Sequence, residues 1–367
     1  MSSLPTLLTR RAWFLGLSAS AAFGADVVKG GTVPTEAGRF ADPATELEVV
    51  RLTSPEHTSF LTSPNLRSLS RKQGFLLYSS DRSGSMQAWR MDLKSGESRL
   101  LTDAKSLNPA SLVLTPDEHS FYYFDGNILK RTAFLGLHDT SVYTLDEATA
   151  HTGGLALSDD GLYAAFGMET GSDSRLLLLN LTRRTTTTLT EQHVEISNPI
   201  FRPRRAQLLY RREGAVWLVD FTGRNNRRLK SIEGGELGPA RWSPTGRTVY
   251  YLHFPGGKEL HTLRELTPDD NTDKLVSKTS QFVQFGINGD ASVFVGASRN
   301  PSSPYVLLLL KANRRELSLC EHKAKDPNTV NPIFSPDSQR IFFQSDRHGK
   351  PAIYRIRVEK FVEETDG

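Results

Sequence analysis

The chain has 367 residues, with 45 Lys and Arg against 41 Asp and Glu and a formal charge of +4, too even a balance for a nucleic-acid footprint. Its single cysteine, Cys320, excludes an intramolecular disulfide, a cysteine-ligated zinc site and an iron–sulfur cluster. No run of about 20 apolar residues is present, so no membrane span is expected in the mature protein.

Residues 1–25 read as an address. Arg10 and Arg11 stand in Thr9-Arg10-Arg11-Ala12-Trp13-Phe14-Leu15, ahead of a short apolar run that ends on the small-residue pattern Ala22-Phe23-Gly24. The pattern resembles a twin-arginine export signal; the general secretory route and an amphipathic N-terminal helix are the alternatives. A periplasmic or secreted location is expected. Residues 26–46, with Gly30, Gly31, Pro34 and Pro43, are expected to form an irregular leader.

From residue 47 onward one phrase recurs: an apolar residue, a Ser-Pro-Asp-Gly-like turn, then an apolar strand. It is clearest as Phe334-Ser335-Pro336-Asp337 before Ile341-Phe342-Phe343, and as Trp242-Ser243-Pro244 before Val249-Tyr250-Tyr251. The anchors Ser70, Thr115, Ser158, Arg202, Ser243, Asn288 and Ser335 lie roughly 41–47 residues apart, the period of a four-stranded propeller blade. Pro and Asp preset the turn, and β-branched and aromatic residues fill the strand behind it. The fold class is therefore all-β: a seven-bladed propeller over 47–358, followed by a tail at 359–367. The seventh unit lacks a fourth strand, and the orphan segment Leu47–Thr53 is expected to supply it, since an unpaired apolar edge is a liability.

Tyr78-Ser79-Ser80-Asp81-Arg82-Ser83-Gly84 and Phe343-Gln344-Ser345-Asp346-Arg347-His348-Gly349 look like the repeat of TolB-type propellers. Asn331-Pro332-Ile333-Phe334-Ser335-Pro336-Asp337, then Gly349-Lys350-Pro351-Ala352-Ile353-Tyr354, resembles the last blade of the oligogalacturonate lyases, and the order Pro199 to Trp242 is similar to that family's central blades. The resemblance implies β-elimination of short pectic uronides with a manganese-type ion. It implies histidine and glutamine ligands, a histidine base and an arginine. Carried over by motif, those positions hold Thr329, Asn331, Asp326 and Gln284 or Gln281 for the ligands, Pro239 for the base and Ala215 for the arginine.

The catalytic residues are thus unassigned and no metal ligands are named. No cofactor is expected, except a divalent cation if the family site survives in altered form. Gln284, Asp326 and Asn331 remain as polar candidates for substrate binding. Arg202, Arg204 and Arg205 join them as possible partners for a carboxylate. His253, His261, His322 and His348 are read as blade or surface histidines. Arg183-Arg184, Arg227-Arg228 and Arg314-Arg315 fall at equivalent hairpins, either an anionic-glycan surface or a solvated rim that blocks edge pairing. Gly-x-Ser-x-Gly, phosphate-loop, dinucleotide and His-Glu-x-x-His motifs are absent. Two readings follow: a lyase-like propeller acting on or binding acidic oligosaccharides, or a TolB-like module docking a periplasmic protein. A monomer is expected in both.

Overall fold

Each repeat closes through one short-range device. The anchor side chain accepts a hydrogen bond from the backbone N–H five residues on, seen for Ser70 with Phe75, Thr115 with Ser120, Ser158 with Tyr163, Ser243 with Thr248, Asn288 with Val293 and Ser335 with Arg340. The aspartate of the turn then accepts from the anchor hydroxyl, as in Ser335 to Asp337 at 2.6 Å and Thr115 to Asp117 at 2.6 Å. A hydroxyl or amide at the anchor thus satisfies backbone groups that the tight turn leaves open. Arg202 is the exception and does different work, described below.

The computed structural model describes residues 27–146, 149–229 and 231–358. The expected address at 1–25 and the tail at 359–367 lie outside them. The described chain folds into seven antiparallel sheets, numbered here as blades 1 to 7 in chain order. Their innermost strands are Ser59–Leu61, Val113–Leu114, Thr149–Leu157, Ile196–Phe201, Glu236–Trp242, Phe282–Ile287 and Ile333–Phe334.

Packing between blades follows from strand alternation. In blade 1, Leu76 and Tyr78 face one neighbour while Leu77 faces the other; in blade 7, Ile341 and Phe343 face one way and Phe342 the opposite way. Successive side chains point to opposite faces of a sheet, so each blade contributes to two apolar clusters. The result is a ring of seven such clusters, each shared by adjacent blades.

The ring closes as the sequence predicts. Glu48–Arg51 pairs antiparallel with Ala352–Arg357, with Val49 opposite Ile356 and Val50 opposite Arg355. The leader differs from expectation. Gly38–Ala41 adds a fifth strand outside Glu48–Arg51, and Thr32–Val33 adds a fifth strand to blade 1 against Ser98–Leu100. These strands are short and join through main-chain bonds, so they carry no apolar alternation to read. Buried Asp42 fastens the same stretch, accepting from the backbone of Ala44, Thr45 and, in blade 6, Glu321. Among the described residues, no helix is long and apolar enough to cross a membrane.

Candidate functional site

The innermost strands do not run smoothly past the axis. In blade 4 the pairing register slips between Ser197 and Ile200, in blade 5 between Leu237 and Ala240, and in blade 6 between Phe282 and Gln284. Such bulges re-aim side chains and free carbonyls. Asn198 sits at one slip with a left-handed φ of 52°, and Asn331 in blade 7 has the same value. Asparagine tolerates that region better than most residues.

Two cavities adjoin at the centre of the ring, the larger lined from all seven blades and the smaller from residues 63–65, blades 4 to 6 and Asn328. A cavity of about 330 Å³ opens where the inner strands begin, with Asn65, Asn198, Arg211, Glu236, Arg241 and Gln284 in its wall. A cavity of about 780 Å³ opens on the side of the Ser-Pro turns, where Arg204 stands at its wall. Pro64, Asn65, Ile200 and Arg241 line both, so they form the partition between them. Asn65 comes from residues 62–68, an irregular stretch that follows the three-residue inner strand of blade 1.

Arg241 is the charged group of this partition. It is 6% exposed. One of its Nη atoms donates to Asn65 Oδ1 at 3.1 Å, its guanidinium lies over the Phe285 ring at 5.2 Å, and its Nε is buried with no partner. Among the described residues, no carboxylate forms an ion pair with it. Burial alone therefore acts on its titration, holding the pKa down to about 9 because the charged form has lost its water. Arg211 lies beside it in the smaller cavity and donates to the carbonyls of Gly238 at 2.8 Å and Leu237 at 2.7 Å, which the blade 5 bulge frees. Burial also lowers the Arg211 pKa, opposed by Glu236.

Sequence reasoning missed Arg241, although a signal was present. It stands two residues before its turn anchor. The equivalent positions are Ser68, Val113, Ala156, Ile200, Gly286 and Ile333, and all of them line the larger cavity with it. Aligning the repeats on their anchors thus exposes one arginine in a ring of small and apolar residues.

The six residues proposed from sequence do not form one site. Gln284 lines the smaller cavity, with its Oε1 buried and unpartnered. Asn331 is buried nearby in blade 7, where its Nδ2 donates to Thr62 O at 3.2 Å and its Oδ1 has no partner. Asp326 is exposed and caps the turn Pro327–Thr329, accepting from the Asn328 backbone at 3.0 Å. It is a local cap rather than a ligand group.

The three arginines need a larger correction, because they sit at the opposite end of the strands from Gln284. Arg202 is buried and pairs bidentately with Asp269 at 2.9 and 2.9 Å, while its Nε donates to Gly246 O at 2.8 Å. It is a strut between blades 4 and 5. Arg205 is exposed and 3.9 Å from the same carboxylate. Arg204 is exposed and lines the larger cavity.

Of the carried-over positions, Pro239 and Gln284 line the smaller cavity, whereas Ala215, Gln281, Asp326, Thr329 and Asn331 are not in its wall. The side chains of that wall do not suit a manganese-type ion. A manganese-type cation is best held by several oxygen ligands with carboxylates supplying the counter-charge, whereas this wall offers one carboxylate (Glu236) and neutral amides against two guanidiniums. Among the described residues, no group of three or more His, Cys, Asp or Glu converges. His253, His261 and His322 bond the carbonyls of Gly234, Phe282 and Ser298, and His348 bonds the Tyr354 hydroxyl.

No family model matches the chain. It is 22% identical over 389 aligned residues to an oligogalacturonide lyase of Pectobacterium atrosepticum, covering 92% of this chain and all of the relative. The solved structure of an oligogalacturonate lyase in complex with manganese superposes with a TM-score of 0.86 at 22% identity, covering 91% of this chain and 99% of that one. A Tol-Pal system protein TolB of Nitratidesulfovibrio vulgaris is 29% identical over 135 residues, 36% of this chain and 29% of the relative. The chain resembles the oligogalacturonate lyases over nearly its whole length and has their seven-bladed fold.

Proposed function

We propose that the chain is an exported, lyase-like propeller whose axial cavity binds acidic oligosaccharides of the uronate class, without the metal-dependent elimination that the resemblance implies. The observation that carries this reading is Arg241, a buried guanidinium in the cavity wall with no carboxylate partner among the described residues. Carrying such a charge is costly unless a ligand supplies the counter-charge, and guanidinium is well matched to carboxylate. The amides of Asn65, Asn198, Gln284 and Asn328 around the same cavity provide paired donors and acceptors of the kind that sugar hydroxyls use. The likeness to oligogalacturonate lyases supports a uronate as the substrate class.

Elimination next to a carboxylate requires that the growing charge be neutralised and that a positioned base remove the proton. At the implied base position stands Pro239, which accepts no proton. Tyr210 in the cavity wall donates its hydroxyl to Asn226 Oδ1 at 2.8 Å, and burial raises its pKa. Glu236 is exposed.

The test is calorimetric titration of the mature protein with digalacturonate and with a neutral digalactoside, alongside ultraviolet monitoring for unsaturated product. Saturable binding of the uronide alone, without turnover, is the expected result. Equal affinity for the neutral sugar, or no binding of any uronide, would overturn the reading and favour protein docking. For export, N-terminal sequencing of protein recovered outside the cytoplasm is expected to begin near Ala25 or Asp26.

A further inference from the structure

We infer that Arg241 takes the place of a divalent ion in this cavity, so that a carboxylate ligand is neutralised by the protein's own guanidinium and binding needs no metal. The inference rests on the uronate reading above and goes beyond it, because that reading leaves open which cation meets the carboxylate.

Three independent features converge. The first is position. Arg241 is the charged member of the ring of equivalent positions on the axis, and it borders both cavities. Arg241 and Gln284, one of the two positions where the resemblance implies a metal ligand, line the same smaller cavity. A cation is thus already built into the wall of the space where an ion would be held. The second is incomplete bonding. Nε is buried without an acceptor, and the side-chain bond of the fork goes to the neutral Asn65 amide. A guanidinium carries five N–H donors and satisfies carboxylates in pairs. The third is the wall itself, where two guanidiniums stand against the single carboxylate of Glu236 and so disfavour a divalent cation on charge.

A metal and Arg241 would compete for the same task. A dication beside a buried guanidinium adds like-charge repulsion in a low-dielectric setting. A carboxylate entering between Arg241 and Arg211 meets charge-assisted donors that the fold has already positioned. The desolvation cost is met during folding rather than at binding, which is how preorganised sites gain affinity.

The experiment titrates digalacturonate into the full mature chain by calorimetry, once with EDTA and once with excess manganese. The expected dissociation constants agree within about twofold. Arg241→Gln is expected to weaken binding by about 30-fold or more, as for truncation of a buried charge partner. Arg241→Lys keeps the charge without the fork and should fall between. Thermal unfolding of each variant confirms the fold; if Arg241→Gln does not fold, Arg241→Lys and the chelator comparison still decide. Wild-type binding that appears only with manganese overturns this inference while leaving the uronate reading in place. So does an Arg241→Gln variant that binds as tightly as wild type. Absence of digalacturonate binding under either condition overturns both.

Discussion

Replacing Arg241 by methionine should make the protein more stable. Burial without a carboxylate pulls the guanidinium pKa down to about 9. Set against the ordinary arginine value at about 1.36 kcal/mol per pH unit, this caps the cost of holding the charge at neutral pH at roughly 5 kcal/mol. The Phe285 face at 5.2 Å and the bond to Asn65 offset about 1–3 kcal/mol of that. Methionine fills much of the same space and carries no charge, but leaves Asn65 Oδ1 without its donor. The expected net gain is about 1–3 kcal/mol, in line with other replacements of buried ions by apolar side chains. For a chain of this size it should raise the melting temperature by a few degrees. Urea unfolding followed by tryptophan fluorescence reads the change in midpoint at constant slope. A midpoint lowered by a comparable amount would show that Arg241 is a structural strut, and would remove the argument that its burial is a cost kept for a ligand.

Arg202→Ala should behave oppositely, costing about 2 kcal/mol of stability while leaving digalacturonate affinity unchanged in the same titration. The Arg202 hydrogen bond, the largest cause, holds the Asp269 pKa below the usual carboxylate range. That contribution is complete above the ordinary aspartate pKa of about 3.9 and fades as pH falls through the depressed value, so Arg202→Ala should flatten acid unfolding there. His322 is buried, with Nε2 donating to Ser298 O at 2.8 Å and Nδ1 accepting from Ala324 N at 3.1 Å, and burial lowers its pKa. Stability should therefore be intact above about pH 6.5 and decline as pH drops below it, because the unfolded chain protonates first. His322→Asn should reduce that slope in a pH series of urea midpoints. Val49→Asp places a carboxylate in the blade 6–7 cluster, and several kcal/mol of destabilisation are expected in thermal unfolding.

The blades were legible because each repeat states its turn, its strand and its apolar faces locally. Even the closure could be read, since Leu47–Thr53 has a strand pattern and no neighbour of its own. The added strands at Thr32–Val33 and Gly38–Ala41 were not legible, because main-chain pairing to an existing edge asks little of side chains. The site was read less well for a related reason. Arg202, Arg204 and Arg205 were grouped by closeness in sequence, whereas a turn sends neighbouring side chains apart: one into a buried ion pair with Asp269, one to a cavity wall and one to solvent. Arg241 went unread because its meaning lies in comparison across blades rather than along the chain. Gln284 lines the smaller cavity because it lies on an inner strand, whereas Gln281, the alternative, precedes that strand.

The pairing of Glu48–Arg51 with Ala352–Arg357 also sets a timetable. During synthesis, a segment made near the start must wait for one made about 300 residues later, and at ordinary translation rates of about 5–20 residues per second that wait lasts tens of seconds. Individual blades can form meanwhile, but the seam between blades 7 and 1 cannot. The last step of folding is therefore a long-range closure of high entropic cost, which slows folding and leaves an open sheet edge exposed until it is made. A ribosome that stops before Ala352 would release a chain of well-formed blades with no means of sealing them, a product suited to aggregation and degradation rather than to partial function.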